Sequence, residues 1–288
     1  MIGGIRVLIT PGLGNQMFQY ALGRSLSIRT GQPLVLDTSA LRESDRWTFD
    51  LRHFRLSEYH LRSMPWNVFW TGLKICRRLR AHGLLRSRLW VEPTLEFTRE
   101  TLEIQRPCVL DGFFQSELYF SDIADRLRED FTIVAEQDAR STECERRIRK
   151  ANSIALHVRR GDYITDPVCS LFHGTCPKKY YDDALDLVLS RIGRDAELFV
   201  FSDDMEWCRE IIRYPLPTTY VDWNADRSFE DMRLMRACTA QIIANSTFSW
   251  WAAWLNPRPG KVVVAPRRWY LQPEVPCDLP KAPWLTAI

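Results

Sequence analysis

Apolar and polar positions alternate along this chain in two rhythms. Short apolar runs that end in glycine, aspartate or arginine read as strands. Longer stretches whose apolar residues recur every three or four positions read as helices. In the first half, residues 5–9 read as a strand, 15–29 as a helix and 33–36 as a strand ending at Asp37. Residues 108–110 form another strand, followed by Asp111-Gly112-Phe113-Phe114-Gln115-Ser116. Residues 138–150 read as a charged helix that would connect two halves. In the second half, strands are predicted at 153–158, 197–201, 219–221, 240–244 and 261–265. The helices between them fall at 179–190, 229–237 and 248–255. Strands alternating with helices predict an α/β architecture with parallel sheets. The pattern allows either two α/β halves or one continuous doubly wound sheet.

Residues 66–90 break the rhythm. Trp66, Phe69, Trp70, Leu73, Leu79, Leu84, Leu85, Leu89 and Trp90 are interleaved with Lys74, Arg77, Arg78, Arg80, Arg86 and Arg88, with no acidic residue among them. A basic amphipathic helix with tryptophans is a membrane-interface pattern. The same pattern also suits a helix that packs its apolar stripe on its own domain and solvates its arginines.

Composition narrows the function classes. The 288 residues are enough for one large domain or two modest ones. The net charge of +3 is too small to argue for nucleic acid. No apolar run reaches bilayer-spanning length, and the sequence opens on a strand pattern rather than a signal peptide. These features predict a cytoplasmic protein, with a peripheral contact on the inner membrane face through residues 66–90 as an option. The eight cysteines are scattered without a CxxC pair. In a reducing compartment they are expected to be thiols. Cys169 and Cys176, in one loop, are the only pair placed for a disulfide or metal.

The chemistry concentrates at three places. His157-Val158-Arg159-Arg160-Gly161-Asp162-Tyr163 follows an apolar strand. Alternation puts Ile154, Leu156 and Val158 on one face, and Ala155, His157 and Arg159 on the other. Ligands of open α/β sheets collect beyond the carboxyl ends of strands. Arginine forks grip phosphate bidentately and stay charged. The alternative is a surface arginine pair bridged to Asp162; a histidine on a strand is more often a satisfied core group, but His157 shares a face with Arg159. Second, Gly12-Leu13-Gly14-Asn15 ends a strand and opens a helix, where glycines permit close backbone approach and the helix start favours negative charge. Asn15 is either an N-cap or a ligand contact. Third, Ser246, Thr247 and Phe248 lie between a strand and a helix, where hydroxyls and N–H groups suit phosphate oxygens or cap the helix. Trp250, Trp251 and Trp254 read as packing rather than as a sugar platform. No Asp-x-Asp motif and no GxxxxGK[ST] loop is present.

Taken together, the turn at Gly12, the arginine motif and the segments 229–238 and 242–255 resemble glycosyltransferase family 11, the α-1,2-fucosyltransferases. The resemblance runs from Gly12 to about Pro266, with no family signal between 37 and 106. It implies a GT-B-like fold of two Rossmann-like domains facing across a cleft. The domains would be 1–150 on the acceptor side and 151–288 binding a GDP-sugar donor. It further implies that Arg159 contacts the β-phosphate of GDP-fucose, that His157 touches the nucleotide, and that Asp231 reads the guanine or ribose. The alternative for Asp231 is charge compensation at a helix start. The Gly12 turn also resembles a segment of protein O-fucosyltransferases in which the asparagine lies near the donor's diphosphate and sugar, making Asn15 a candidate active-site residue. Gly12, Gly14, Arg160, Asp203, Ser246, Thr247 and Phe248 complete the donor-binding set. Arg160 and Asp162 could hold their loop by an ion pair, or Asp162 could face the acceptor as base.

The implied reaction is inverting transfer of fucose to the 2-hydroxyl of a β-galactoside in an oligosaccharide or lipid-linked glycan. No metal or other cofactor is expected, and Arg159 and helix starts would stabilise the leaving diphosphate. The rivals are the same fold using another GDP-sugar or linkage, a non-catalytic sugar- or nucleotide-binding protein, and a membrane-associated partner-binding protein built around residues 66–90.

Overall fold

The computed structural model describes residues 3–41, 48–81 and 88–288. The chain divides into two compact units, Met1–Val134 and Ala135–Ile288. In the first unit, β1 (Ile5–Leu8) turns into α1 (Leu13–Thr30), and β2 (Leu34–Asp37) and β3 (His60–Arg62) follow. Then come α2 (Trp66–Ala81), β4 (Leu89–Val91), α3 (Arg99–Leu102), β5 (Cys108–Asp111) and α4 (Ala124–Asp130). The five strands are all parallel, in the order β3-β2-β1-β5-β4.

Parallel strands are covered on both faces, which is why β2 is buried at all four positions. Most of α1 is buried as well, from Leu13 to Leu26. Its closest approach to the sheet is at Gly23. A Cβ there would stand 2.5 Å from Val7 Cγ2 and 2.8 Å from Leu34 Cδ1. A missing side chain therefore sets the spacing between helix and sheet.

The second unit begins with α5 (Ala139–Lys150) and β6 (Ser153–Val158). It continues through the short α6 (Gly161–Thr165) and α7 (Pro167–Phe172), then α8 (Lys178–Ile192), β7 (Glu197–Ser202) and α9 (Met205–Ile211). β8 (Thr218–Val221), α10 (Ser228–Ala237), β9 (Ala240–Ile242), α11 (Thr247–Trp254), β10 (Val262–Ala265) and β11 (Thr286–Ala287) complete it. The strands are again all parallel, in the order β11-β10-β9-β6-β7-β8. Counted from β6, this is the 3-2-1-4-5-6 order of a Rossmann fold. The strand order reverses between β6 and β9, and β6 is buried at all six positions. Ile154, Leu156 and Val158 pack with Tyr181, Ala184, Leu185 and Val188 of α8. His157, on the opposite face, meets Phe248 at 5.5 Å between ring centroids. Strand alternation predicted both faces.

Two Rossmann-like units bear out the GT-B-like architecture that the resemblance implied. The boundary falls earlier than 150. The predicted connector helix belongs to the second unit, because its first turn is tied there. Ser141 Oγ donates to Asn224 Oδ1 at 3.1 Å, and Trp223 Nε1 donates to Ser141 Oγ at 3.0 Å. Asp138 caps the same helix through the Ser141 N–H at 2.8 Å.

Residues 66–90 are not one amphipathic helix. α2 is described over Trp66–Ala81, and Leu89 and Trp90 belong to β4. Phe69 and Leu73 of α2 are buried with Leu8 and Leu89. Val68 and Ile75 remain exposed. Leu84, Leu85 and Arg86 lie outside the described residues. Among the described residues, no helix is long and apolar enough to cross a membrane. No disulfide joins any of the eight cysteines.

The helix–sheet contact at Gly23 carries a direct expectation. Gly23→Ala should lower stability by about 1–3 kcal/mol, since the sheet must move to admit the methyl group. Urea denaturation should show a lower midpoint at an unchanged slope. An unchanged midpoint would mean that the contact is loose.

Candidate active site

At the carboxyl end of β6 the chain presents two guanidinium groups pointing in different directions. Arg159 Nη2 lies 2.7 Å from Asp162 Oδ1, and its Nη1 lies 3.0 Å from Asp203 Oδ2. The Tyr163 ring sits 5.4 Å from the same guanidinium. Arg160 turns away, with its Nε 2.9 Å from Asp204 Oδ2 and its guanidinium 4.3 Å over the Trp207 ring. Asp203 binds both arginines, since its Oδ1 also accepts the Arg160 backbone N–H at 2.8 Å. Gly161 is required at this point: a Cβ there would stand 2.6 Å from Asp203 Oδ2.

The ion pairs differ from the loop pairing considered from sequence. Asp162 pairs with Arg159 rather than Arg160. The short α6 begins at Gly161 and brings residue 162 back over residue 159, while the end of β7 supplies Asp204 to Arg160.

Burial pulls the Arg159 guanidinium down, but Asp203 and Asp162 outweigh it and hold the group charged. His157 goes the other way. Burial, with Arg159 adding to it against Asp203, pushes its imidazole down to about 4. Its Nδ1 has no hydrogen-bond partner. It is therefore a neutral ring at neutral pH, beneath the arginine and beside Phe248.

Across the strand-order reversal, β9 runs into Asn245, Ser246 and α11. Asn245 Nδ2 donates to the carbonyls of His173, Gly174 and Trp269 at 3.1, 3.2 and 3.1 Å. Its own carbonyl accepts the Tyr163 hydroxyl at 3.1 Å. Tyr163 in turn stacks on His173, with centroids 4.5 Å apart and planes 6° from parallel. The turn carrying Ser246, Thr247 and Phe248 is thus tied to the segment carrying Asp162. Ser246 opens α11 with an extended backbone, but its side chain makes no capping bond. The capping alternative for this serine does not hold. Trp250, Trp251 and Trp254 are buried against one another, as packing residues.

Asp231 sits on α10, which follows β8 in the chain and packs against α5 and α11. Its side-chain hydrogen bond is with Asn224 Nδ2, which donates at 2.8 Å, and not with the residues around Arg159. Burial raises its carboxyl to about 7; the Asn224 bond opposes this and Glu230 adds to it.

Gly12, Gly14 and Asn15 belong to the first unit. Gly12 has φ +91°, a left-handed value that favours glycine, and its carbonyl accepts the Gln16 N–H at 3.0 Å. Asn15 is the third residue of α1 and not its cap, which is Gly12. Its amide donates to Pro11 O at 3.1 Å, and its Oδ1 accepts from Gln115 Nε2 at 3.0 Å. Gln19 Nε2 donates to Thr10 Oγ1 and Gly112 O, both at 2.9 Å. Glu92 receives the N–H groups of Phe113 and Phe114 at 2.7 Å each, holding Phe114 at φ 55°. Burial pushes the Glu92 carboxyl up to about 7.

Sequence reasoning assigned no role to Gln19, Glu92, Gln115, Asn245 or His173. For Gln115 a signal existed, because Asp111-Gly112-Phe113-Phe114-Gln115 follows a strand as the other ligand-type turns do. For Asn245 it lay in the strand-to-helix turn itself. Glu92 and His173 carried none.

The model of glycosyl transferase family 11 matches residues 88–278. An O-antigen biosynthesis glycosyltransferase, WbnK of Escherichia coli, is 33% identical over 286 residues, covering 91% of this chain and 93% of the relative. An α-1,2-colitosyltransferase of Escherichia coli is also 33% identical, over 93% of this chain and 92% of its own. A galactoside α-(1,2)-fucosyltransferase 1 of Saimiri boliviensis boliviensis is 29% identical over 51% of this chain and 42% of its own. Among solved structures, the fucosyltransferase NodZ from Bradyrhizobium superposes with a TM-score of 0.54 at 16% identity, over 89% of this chain and 94% of that one.

The raised Asp231 carboxyl has a consequence for stability. The unfolded chain releases this proton near the ordinary aspartate value, while the folded chain keeps it up to about pH 7. The unfolded state then binds fewer protons across that window, and stability falls as pH rises through it. Asp231→Asn removes the penalty. Its stability relative to the parent should climb between about pH 4 and 7 in denaturant titrations. A difference that stays flat across this range would show an ordinary, solvated carboxylate.

Proposed function

Because this chain belongs to glycosyl transferase family 11, we propose that it transfers L-fucose, with inversion, from GDP-β-L-fucose to the 2-hydroxyl of a β-galactoside. The observation that carries this reading is the Rossmann unit. Its strand-order reversal is flanked by Arg159 on one side and the Ser246–Phe248 turn on the other, where such folds collect nucleotides. The fold relative NodZ has been soaked with GDP-fucose, and the galactoside relative supplies the acceptor class.

In this reading the unit from Ala135 onward binds the donor, and the first unit faces the acceptor. Arg159 holds the β-phosphate with a guanidinium that stays charged at any working pH. His157 and Phe248 line the nucleotide. Asp231, with one hydrogen-bond partner and remaining acceptor capacity, reads the guanine or ribose. Ser246, Thr247 and the start of α11 offer hydroxyl and backbone donors to phosphate oxygens. Arg160, Asp203 and the glycines Gly12, Gly14 and Gly161 shape the turns. Asn15 orients a reacting group from the start of α1.

As the C–O bond to diphosphate breaks, negative charge grows on the leaving oxygen, and Arg159 meets it. Asp162 takes the proton of the acceptor hydroxyl as general base. The acceptor is a galactose-containing oligosaccharide or lipid-linked glycan. Exposed Val68 and Ile75, beside Lys74 and Arg78 on α2, are the surface that a peripheral membrane contact would use.

A second reading keeps the mechanism and changes the donor. The α-1,2-colitosyltransferase relative transfers, by its name, colitose rather than fucose. A panel of GDP-sugars, with product linkage read by NMR, separates the two readings. Transfer from none of them would remove both.

Arginine 159 supplies the sharpest kinetic test. Lysine keeps the charge but loses the planar fork. Arg159→Lys should therefore lose about a hundredfold or more in kcat/KM, roughly 3 kcal/mol of transition-state stabilisation. Arg160→Lys should be milder, since Arg160 faces Asp204 and Trp207. Near-parental kinetics for Arg159→Lys beside a dead Arg160→Lys would reverse the assignment.

Metal dependence is a separate test. With no Asp-x-Asp motif in the sequence, activity should persist in excess EDTA. Loss on chelation with recovery on adding manganese or magnesium would refute metal-free catalysis.

A further inference from the structure

The cluster at the end of β6 is not an anion site as it stands. Two guanidinium groups, Arg159 and Arg160, face three carboxylates, Asp162, Asp203 and Asp204. The surplus is negative, and a diphosphate brought to it meets repulsion. Both terminal nitrogens of Arg159 are already engaged, at 2.7 Å with Asp162 and 3.0 Å with Asp203. For Arg159 to turn both terminal nitrogens to a phosphate, one of these carboxylates must leave, since only Nε and the remaining terminal N–H groups are otherwise open.

The two are held very differently. Asp203 is anchored twice over, by Arg159 and by the Arg160 backbone N–H at 2.8 Å, and it packs where Gly161 has no side chain. Asp204 is anchored as well, by Arg160 Nε at 2.9 Å and by the Trp207 N–H at 3.1 Å at the start of α9. Asp162 has only the ion pair with Arg159, and its contacting oxygen lacks hydrogen-bond geometry there. Its short helix α6 is held through the neighbouring Tyr163, so only the Asp162 side chain has to turn. Asp162 is thus the carboxylate that can move at least cost.

We infer that the donor's diphosphate displaces Asp162 from Arg159, and that this displacement frees the carboxylate to act on the acceptor. The inference rests on the donor reading of Arg159 and adds an order of events to it. Before donor binding, Asp162 is occupied by its ion pair with Arg159. After binding, the phosphate occupies the guanidinium edge, and Asp162 stands unpaired beside the sugar. A base that is released only by the donor gives donor-first binding. No bond beyond the transfer itself is made or broken; one ion pair is exchanged for another.

The test is GDP affinity, measured by calorimetry on the full chain for the parent, Asp162→Asn, Asp162→Ala and Asp204→Asn, beside steady-state kinetics. Removing the competing carboxylate should tighten GDP binding by about twofold to fivefold, the range expected for a partly exposed ion pair. The same variants should lose about a hundredfold or more in kcat, as a lost general base does. Affinity rising while turnover falls is a split that a merely structural role would not produce. Asp204→Asn removes equal charge from the same cluster without touching Arg159, and should not tighten GDP binding. Equal tightening at 162 and 204 would reduce the effect to net charge and overturn the displacement. GDP binding that is unchanged or weaker in both Asp162 variants would also overturn it. A parent chain that binds no GDP would instead overturn the donor reading.

Discussion

The hold of Asp203 on its two neighbours governs the second unit's chemistry. β6 and β7 run parallel in a register that pairs Val158 with Ser202. The residues just beyond each strand therefore emerge level with one another. Asp203 uses that coincidence: one oxygen fixes the backbone at Arg160, and the other fixes the side chain of Arg159. The position of a guanidinium at the mouth of the sheet is thereby set by strand pairing deep inside it. Partly buried ions are costly to hold unless they are paired. Here each arginine finds a carboxylate from the neighbouring strand, and the packing of that carboxylate leaves no room for a side chain at residue 161.

The opposite bank of the strand-order reversal is built without charge. Asn245 spends its amide on three backbone carbonyls and its own carbonyl on the Tyr163 hydroxyl. The hydrogen-bond network thus runs from the start of α11, through Tyr163 and His173, to the short helices that carry Asp162. In the first unit, glutamine amides play the corresponding part. Gln19 and Gln115 join the glycine turn to the segment after β5, and Glu92 gathers two N–H groups so that Phe114 can occupy a left-handed conformation. In each unit a turn is held because its polar backbone groups are satisfied by side chains.

Much of this was legible in the sequence. The main strands and long helices follow from apolar periodicity, because parallel strands covered on both faces must be apolar and long helices must bury a stripe. The faces of β6 followed from alternation alone. What periodicity could not supply is partnership. Whether Asp162 or Asp204 meets Arg160 depends on where α6 starts and on the β6–β7 register, and neither is written in local composition. The expected boundary at 150 differs from the unit boundary after Val134 for the same reason. The helix from Ala139 to Lys150 is highly charged and looks solvated, yet its Ser141 is buried against Asn224, more than eighty residues away in the chain. Residues 66–90 misled in the opposite direction. An apolar stripe among arginines looks the same whether it meets lipid or its own sheet, and Phe69 and Leu73 meet the sheet. Gly23 and Gly161 stand out only when the atoms facing them are known.

The indoles of α11 have an optical consequence. Trp250, Trp251 and Trp254 lie edge to face at 5.2 and 5.1 Å, and Trp284 closes on Trp250 at 5.3 Å. Chromophores this close and this regularly angled share their excited states. The near-ultraviolet circular dichroism of the protein should therefore carry a coupled tryptophan band that originates in the second unit. The helix bearing those indoles begins at Ser246 and Thr247, so the band watches the ordering of that turn without an added label.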